Sequence, residues 1–290
     1  MAEPKHEKIF AGRPFVDFVG RDDEVDRLIA HARSVEGSDG LMVLAVPGSG
    51  ASELLRQTYD RLFHEQREII PFYFSIRRTF SSSREIAEDF LHEFIRQLVA
   101  FRRHDCSIVR SAVELDELSE LSRSVSGIWI DRLITTAGNA SDGRAFLRTA
   151  LSAPIRAAAN GDHAFVMIDD AHELMNLGDG AAIFTELNRV LGNGSLRFVV
   201  AGHRRYLHGQ MDCDRFALDN LNFEEAGKMV EVFAKENGLS IAEQTRDLIA
   251  IQLGGNPSLT RLLARDAADT GSGLERFEDA EKAYAESIYG

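Results

Sequence analysis

Apolar residues follow two rhythms along this chain. Four stretches, 41–46, 69–76, 164–168 and 196–201, are apolar at almost every position, and a shorter one covers 215–218. Runs without polar alternation suit strands buried on both faces, as in a parallel sheet. Between them, apolar residues recur at helical spacing. Residues 18–24, Phe-Val-Gly-Arg-Asp-Asp-Glu, open a helix predicted to reach about Val35. Val25, Leu28, Ile29 and Ala32 give it one apolar face, and its first turn is acidic, as the helix dipole favours. Residues 1–18 read as a lead-in with little regular structure, and 36–40 as a loop. The alternation of strands and helices predicts an α/β fold, a parallel sheet covered on both faces in three αβα layers.

The second-to-third strand connection is long, about 77–163, and carries helices of its own. Ser82 and Glu85 form a capping-box pattern, and Ile86, Phe90, Phe94, Leu98 and Phe101 then line one helical face. Further helices are predicted near 108–122, 126–137 and 143–159, the last two separated by a Gly-Asn-Ala-Ser-Asp-Gly stretch at 138–143. This region reads as a helical insertion in a first domain, 1–218; the alternative is a separate small bundle. Beyond it the pattern is wholly helical, which makes 219–290 a second, lid-like domain. Asn222 with Glu225 and Ser240 with Glu243 are capping signals there, Gly254-Gly255-Asn256-Pro257 breaks the run, and a last helix covers roughly 274–288.

A length of 290 residues allows one large or two modest domains, and 44% hydrophobic with 27% charged residues is the balance of a soluble globular chain. No apolar run approaches the roughly 18 residues of a membrane helix, so no membrane partner is expected. The start lacks the apolar core of a signal peptide. The two cysteines, Cys106 and Cys213, make neither a disulfide framework nor a metal site, which points to a reducing, cytoplasmic setting. The net charge of −13 argues against a nucleic-acid partner, because phosphate backbones are bound by Lys and Arg clusters. The basic clusters are small: Arg77-Arg78, Arg102-Arg103-His104 and His203-Arg204-Arg205.

Residues 45–52 read Ala-Val-Pro-Gly-Ser-Gly-Ala-Ser. A phosphate-binding loop has the pattern Gly-x-x-x-x-Gly-Lys-Ser/Thr. Here Ala45 stands at the first glycine, Gly50 at the second, Ala51 in the place of the lysine and Ser52 at the hydroxyl. The strand, loop and helix over 41–65 are the context such a loop needs. Amides of Gly48, Ser49, Gly50, Ala51 and Ser52 are expected to face a phosphate at a helix N-terminus, and the Ser52 hydroxyl to ligate magnesium. The alternative is a glycine-rich strand-to-helix turn. A second motif, 165–174, ends an apolar strand in two carboxylates. Asp169 suits magnesium held through water. Asp170 stands where an activating base belongs, with Glu173 as a substitute.

Together these residues resemble the AAA+ and STAND classes of P-loop ATPase, from about Phe18 to Ala267. The box at 18–24 is similar to the Phe-Val-Gly-Arg-Glu box of those families, which lies beside adenine, and this implies a binding role for Val19, Gly20 and Arg21. Asp169-Asp170-Ala171-His172 resembles the acidic motif of STAND proteins and transposition-type ATPases. The 199–204 run sits where the family places its first sensor strand. Gly254-Gly255-Asn256-Pro257 resembles the Gly-x-Pro motif of the helical lid, whose proline approaches the nucleotide. The resemblance implies that ATP or ADP is bound by Val19, Gly20, Arg21, Pro47, Gly48, Ser49, Gly50, Ala51, Ser52, Glu53, Pro257 and Arg261. Magnesium falls to Ser52 and Asp169, and catalysis to Asp170, Glu173 and Arg204. Arg77, Arg78, His203 and Arg205 are further cations that could offset the missing lysine.

That lysine is a point charge against the β- and γ-phosphates. Removing one partner of a buried charge pair costs roughly 3–5 kcal/mol, or about two to three decades in binding or rate. The expected function is an ATP- or ADP-binding module, impaired in hydrolysis, that works as a nucleotide-dependent switch or scaffold and is read out by a protein partner or self-association. The rivals are a pseudo-ATPase interaction module that binds no nucleotide and an ATPase of the DNA-transaction type.

Overall fold

The computed structural model describes residues 7–14, 17–34, 40–192 and 196–289. Residues 36–39 of the expected loop, Val35, and residues 1–6 and 15–16 of the lead-in lie outside the described residues. Five strands form one sheet: β1 (Gly40–Ala45), β2 (Ile70–Ser75), β3 (Ala164–Asp169), β4 (Arg197–His203) and β5 (Asp214–Leu218). Each falls within two residues of an apolar run read from the sequence. The sheet is parallel, in the order β2-β3-β4-β1-β5. Helices α1 (Asp22–Arg33), α2 (Ala51–Glu65) and α3 (Ser83–Arg103) accompany the first strands. Five short helices precede β3: α4 (Ser107–Arg110), α5 (Leu115–Ser122), α6 (Trp129–Gly138), α7 (Gly143–Leu151) and α8 (Ala153–Ala158). Then come α9 (Gly180–Leu191) and α10 (Arg204–Leu207), and after the sheet α11 (Phe223–Glu236), α12 (Glu243–Gln252), α13 (Pro257–Asp269) and α14 (Phe277–Tyr289).

The chain divides into two compact units. The first is Met1–Gly12, Asp23–Leu44 and Ser52–Ala217; the second is Arg13–Asp22, Ala45–Ala51 and Leu218–Gly290.

In the first unit, strand register assigns the two faces of the sheet. Tyr73 lies opposite Met167 and Ser75 opposite Asp169, while Phe72 and Phe74 lie opposite Val166 and Ile168. Alternate residues face opposite sides. Phe72 meets Phe90 and Phe94 of α3 edge-on, both at 5.0 Å between centroids. Tyr73, on the other face, meets Arg56 of α2, whose Nε donates to the phenol oxygen at 3.1 Å. Helices α2 and α3 therefore cover opposite faces, which gives the three layers. The apolar positions of α3 named from the sequence are all buried. Ser82 caps α3 by accepting from Glu85 N at 3.3 Å, but the Glu85 carboxylate accepts from the Ser81 amide at 2.8 Å rather than completing the box on Ser82. Trp129 is core, with Nε1 donating to the buried Asp162 at 3.3 Å. Arg102 donates to the same carboxylate at 2.7 Å, so this basic residue is a structural one.

In the second unit, Val230, Ile249, Leu253, Leu263 and Ala267 form the centre of a helical core. Asn222 and Glu225 make a full capping box at the start of α11, with both bonds at 3.0 Å. Ser240 does not cap α12. That helix begins at Glu243 behind Ala242, because Ile241 is held extended in a parallel bridge with Leu274.

Strand β2 is an edge of the sheet, and an edge leaves peptide groups unpaired. At Tyr73 this need is met by a side chain. Gln97 of α3, fully buried, donates Nε2 to Tyr73 O at 2.9 Å and accepts from Tyr73 N at 2.9 Å. Each buried group left without a partner costs about 1–3 kcal/mol. Gln97→Leu is therefore expected to destabilise the fold by roughly 2–4 kcal/mol, measured by urea denaturation. A loss within experimental error of zero would refute this role.

Candidate functional site

In the first unit, β3 delivers Asp169 to the carboxyl end of the sheet, 1% exposed. Its position opposite Ser75 puts it on the face that α2 covers. Its carboxylate accepts two hydrogen bonds, from the Tyr73 hydroxyl to Oδ2 at 2.7 Å and from the Asp170 amide to Oδ1 at 2.8 Å, and the Ser52 side chain lies near enough to favour its ionised form. Ser52, in the first turn of α2, and Asp169 are thus brought together. Arg56 sits one turn beyond Ser52, on the same helical face. Its bond to Tyr73 makes a connected run of Arg56, Tyr73 and Asp169, with Ser52 alongside.

Asp170 stands beside Asp169 in a left-handed backbone conformation (φ 52°, ψ 30°) that few residues other than glycine, asparagine and aspartate adopt. Its Oδ2 accepts from Ser75 Oγ at 3.1 Å. Glu173 follows on a short 3-10 helix, Ala171–Asn176, and is 5% exposed. Arg78 Nε donates to its Oε1 at 2.7 Å and Asn176 Nδ2 to its Oε2 at 2.7 Å. Burial works to raise its carboxyl, but these two bonds and the charge of Arg78 outweigh that and hold it below the ordinary carboxylate range. Glu173 is therefore an ion-pair partner with both oxygens engaged, poorly suited to act as a base. The rings of His172 and His203 stack with centroids 3.7 Å apart and 25° between planes. Burial, then the charge of His203, push the His172 imidazole below its usual range.

In the second unit, the chain between β1 and α2 makes the bend that the motif requires. Gly48 and Gly50 have φ of +77° and +94°, conformations that L side chains rarely adopt. The first-turn amides of α2 have no acceptor within their helix. One expected phosphate donor is otherwise engaged, since Ser49 N donates to Val46 O at 3.0 Å. The Ser49 side chain is 1% exposed, and its Oγ has no hydrogen-bond partner. Ala51 presents only a methyl group. Arg21, 6% exposed, donates through Nη2 to Ser49 O at 3.1 Å and to the Asp219 carbonyl. Val19 packs against the cluster of Leu221, Met229 and Phe233. Gly20 lets the chain pass Glu225, because a Cβ there would fall 2.7 Å from the carboxylate carbon. Pro257 opens α13 at its first turn, and its Cγ is 3.9 Å from where a Cβ on Gly50 would be. Arg261 is exposed one turn further along α13.

Other expected residues lie elsewhere or are otherwise held. Glu53 accepts from Gly12 N at 2.9 and 3.1 Å and from Gln57 at 2.8 Å, so it anchors the N-terminal segment to α2. Asp60, two turns on, does the same by accepting from the amides of Ile9, Phe10 and Ala11. Arg77 pairs with Asp89 and lies over the Phe80 ring, so it is a structural cation. Arg204 is exposed at the start of α10. Sequence reading missed Arg56, Tyr73 and Ser75. The spacing of Arg56 from Ser52 was a usable signal; Tyr73 lay hidden in an apolar run.

Burial, then the charge of Asp170, lift the Asp169 carboxyl from 3.8 to about 6. A carboxyl raised on folding opposes the fold once ionised, in full above its folded value and not at all below its unfolded one. Asp169→Asn is expected to raise the melting temperature of the nucleotide-free protein by a few degrees at pH 7.5, with the gain shrinking as the pH falls toward 4. A gain independent of pH would show that the buried charge is not its source.

No family model and no curated protein sequence matches the chain. Solved structures do. The chain is similar to the Walker-type ATPase paby2304 of Pyrococcus abyssi, at 16% identity and TM-score 0.58, over 96% of this chain and 75% of that one. Domain III of the replication initiation protein DnaA of Thermotoga maritima matches at 13% identity and TM-score 0.53, over 99% and 100%. The Aeropyrum pernix ORC1 protein, solved in complex with DNA, matches at 14% identity and TM-score 0.54, over 92% of this chain and 65% of that one. At such identities the likeness is one of fold: a parallel five-stranded sheet with flanking helices.

Proposed function

We propose that the chain is an ATP- or ADP-binding module of the AAA+/STAND kind, impaired in hydrolysis, that acts as a nucleotide-dependent switch or scaffold. The observation that carries this reading is that the Ser52 side chain, at the start of α2, lies beside the buried Asp169 carboxylate and favours its ionised form, directly after a bend with two left-handed glycines. A hydroxyl beside a carboxylate suits magnesium, which takes one or two protein oxygens and completes its shell with phosphate and water. The buried, unpartnered Oγ of Ser49 supports the same reading, since such an atom calls for a ligand or water. In this role the amides at the start of α2 bind phosphate, and Ser52 and Asp169 hold the metal. When bound, magnesium supplies charge neutralisation on the phosphates.

Weak hydrolysis follows from the chain's own groups. Ala51 offers no cation. Asp170 is one methylene shorter than glutamate and accepts from Ser75, and Glu173 is paired with Arg78. The acidic balance of −13 disfavours nucleic acid as the partner, which leaves a protein partner or self-association as the readout. Among the described residues no helix is long and apolar enough to cross a membrane.

Calorimetric titration of ATP and ADP in magnesium is expected to show saturable binding of both, with phosphate release near background. Ala51→Lys is expected to tighten ATP binding by tenfold or more and to raise phosphate release. If neither protein takes up nucleotide, the switch reading fails and an interaction module without nucleotide takes its place. A DNA-stimulated rate in the lysine variant would favour the DNA-transaction reading.

A further inference from the structure

Three successive carbonyl groups of the loop each accept a hydrogen bond from outside it. Asn256 Nδ2 donates to Pro47 O at 2.9 Å, Ser258 N to Gly48 O at 3.2 Å, and Arg21 Nη2 to Ser49 O at 3.1 Å. All of these residues belong to the second unit. Asn256 and Arg21 are buried. The fit at Gly48 is close, since a Cβ there would stand 2.7 Å from Asn256 Oδ1 and 3.0 Å from Ser258 Cβ.

A trans peptide unit is planar, with its C=O and N–H pointing in opposite directions. Fixing the carbonyls of 47, 48 and 49 therefore fixes the amides of Gly48, Ser49 and Gly50, and turns them away from the groups that hold the carbonyls. Ser49 N is engaged by Val46 O. The other two are what a phosphate would use. No side chain at position 51 can reach back over the loop to shape it, because Ala51 ends at Cβ.

We infer that Asn256 is a positioning residue for the phosphate-binding amides, shaping the loop from outside where the motif has lost its lysine. The inference rests on the phosphate-binding reading of the loop, and goes beyond it by assigning the loop's conformation to a residue at the start of α13. The two ends of the Asn256 amide have separate tasks. Oδ1 accepts from Ser258 N at 3.1 Å and Leu259 N at 3.2 Å and caps α13. Nδ2 donates to Pro47 O and, at 3.3 Å, to Asn220 Oδ1. Aspartate keeps the cap and loses the donor. Serine also caps, and is too short to reach Pro47.

The test compares wild type with Asn256→Asp and Asn256→Ser in two measurements. The first is hydrogen exchange of the amides at 48–51 in the nucleotide-free protein. The second is the affinity for magnesium ATP. Both variants are expected to melt within a few degrees of wild type, to exchange these amides at least tenfold faster and to bind ATP at least tenfold more weakly. Serine carries no charge, so a loss shared by both variants is not repulsion of the nucleotide. If both variants exchange and bind like wild type, Asn256 is a helix cap only and the inference is overturned. If wild type itself binds no nucleotide, the proposed function falls, and the exchange rates alone still decide whether Asn256 shapes the loop. Should the aspartate variant unfold, the serine variant decides both measurements.

Discussion

The candidate site is organised around one buried carboxylate. Asp169 ends the central part of the sheet almost without solvent, and an isolated charge there would be strongly unfavourable. Two donors answer it, the Tyr73 hydroxyl from β2 and the amide of Asp170 at the end of β3, and the Ser52 side chain from α2 lies beside it. Each depends on topology. Tyr73 reaches Asp169 because β2 lies beside β3 in register, and Ser52 reaches it because α2 covers that face. The surroundings that favour the charged carboxylate thus include the start of α2, where a phosphate loop must end. Packing and candidate chemistry therefore share their principal atoms.

On the proposed function, alanine rather than lysine at position 51 changes what the rest of the loop must do. A lysine supplies charge and, through a long side chain, local restraint. Here the restraint comes from elsewhere: Asn256, Ser258 and Arg21 hold three consecutive carbonyls. Charge is a separate matter. Arg21 brings a buried guanidinium to the Ser49 carbonyl, and Arg56 a half-buried one to Tyr73. A loop kept in shape without its cation suits retention of a ligand better than turnover, because developing transition-state charge gains most from a positioned cation.

Much of the fold could be read from the sequence because its signals are local. Apolar runs marked four strands and a shorter run beginning at Arg215 the fifth, and Asn222 with Glu225 marked the start of α11 as a complete capping box. The expectations that failed involve partners distant in sequence. Ser240 has the spacing of a cap, yet a bridge between Ile241 and Leu274 draws the chain extended and moves the helix start. Glu53 sits in the first turn of α2, where a nucleotide role was plausible, but the backbone of Gly12 occupies it. Arg77 looked available as a cation and is paired with Asp89. At the candidate site, Ser52 and the two aspartates were legible from motif spacing. Tyr73 was not, since a tyrosine in an apolar strand announces neither its neighbour strand nor the carboxylate its hydroxyl meets.

The side-chain amide of Gln97 sits against β2 as a peptide group of an adjoining strand would, giving and receiving one bond at Tyr73. It is in effect a one-residue imitation of a sixth strand. A real strand from another molecule cannot pair at that rung without first expelling it. Sheet extension along β2 is thereby opposed at that rung.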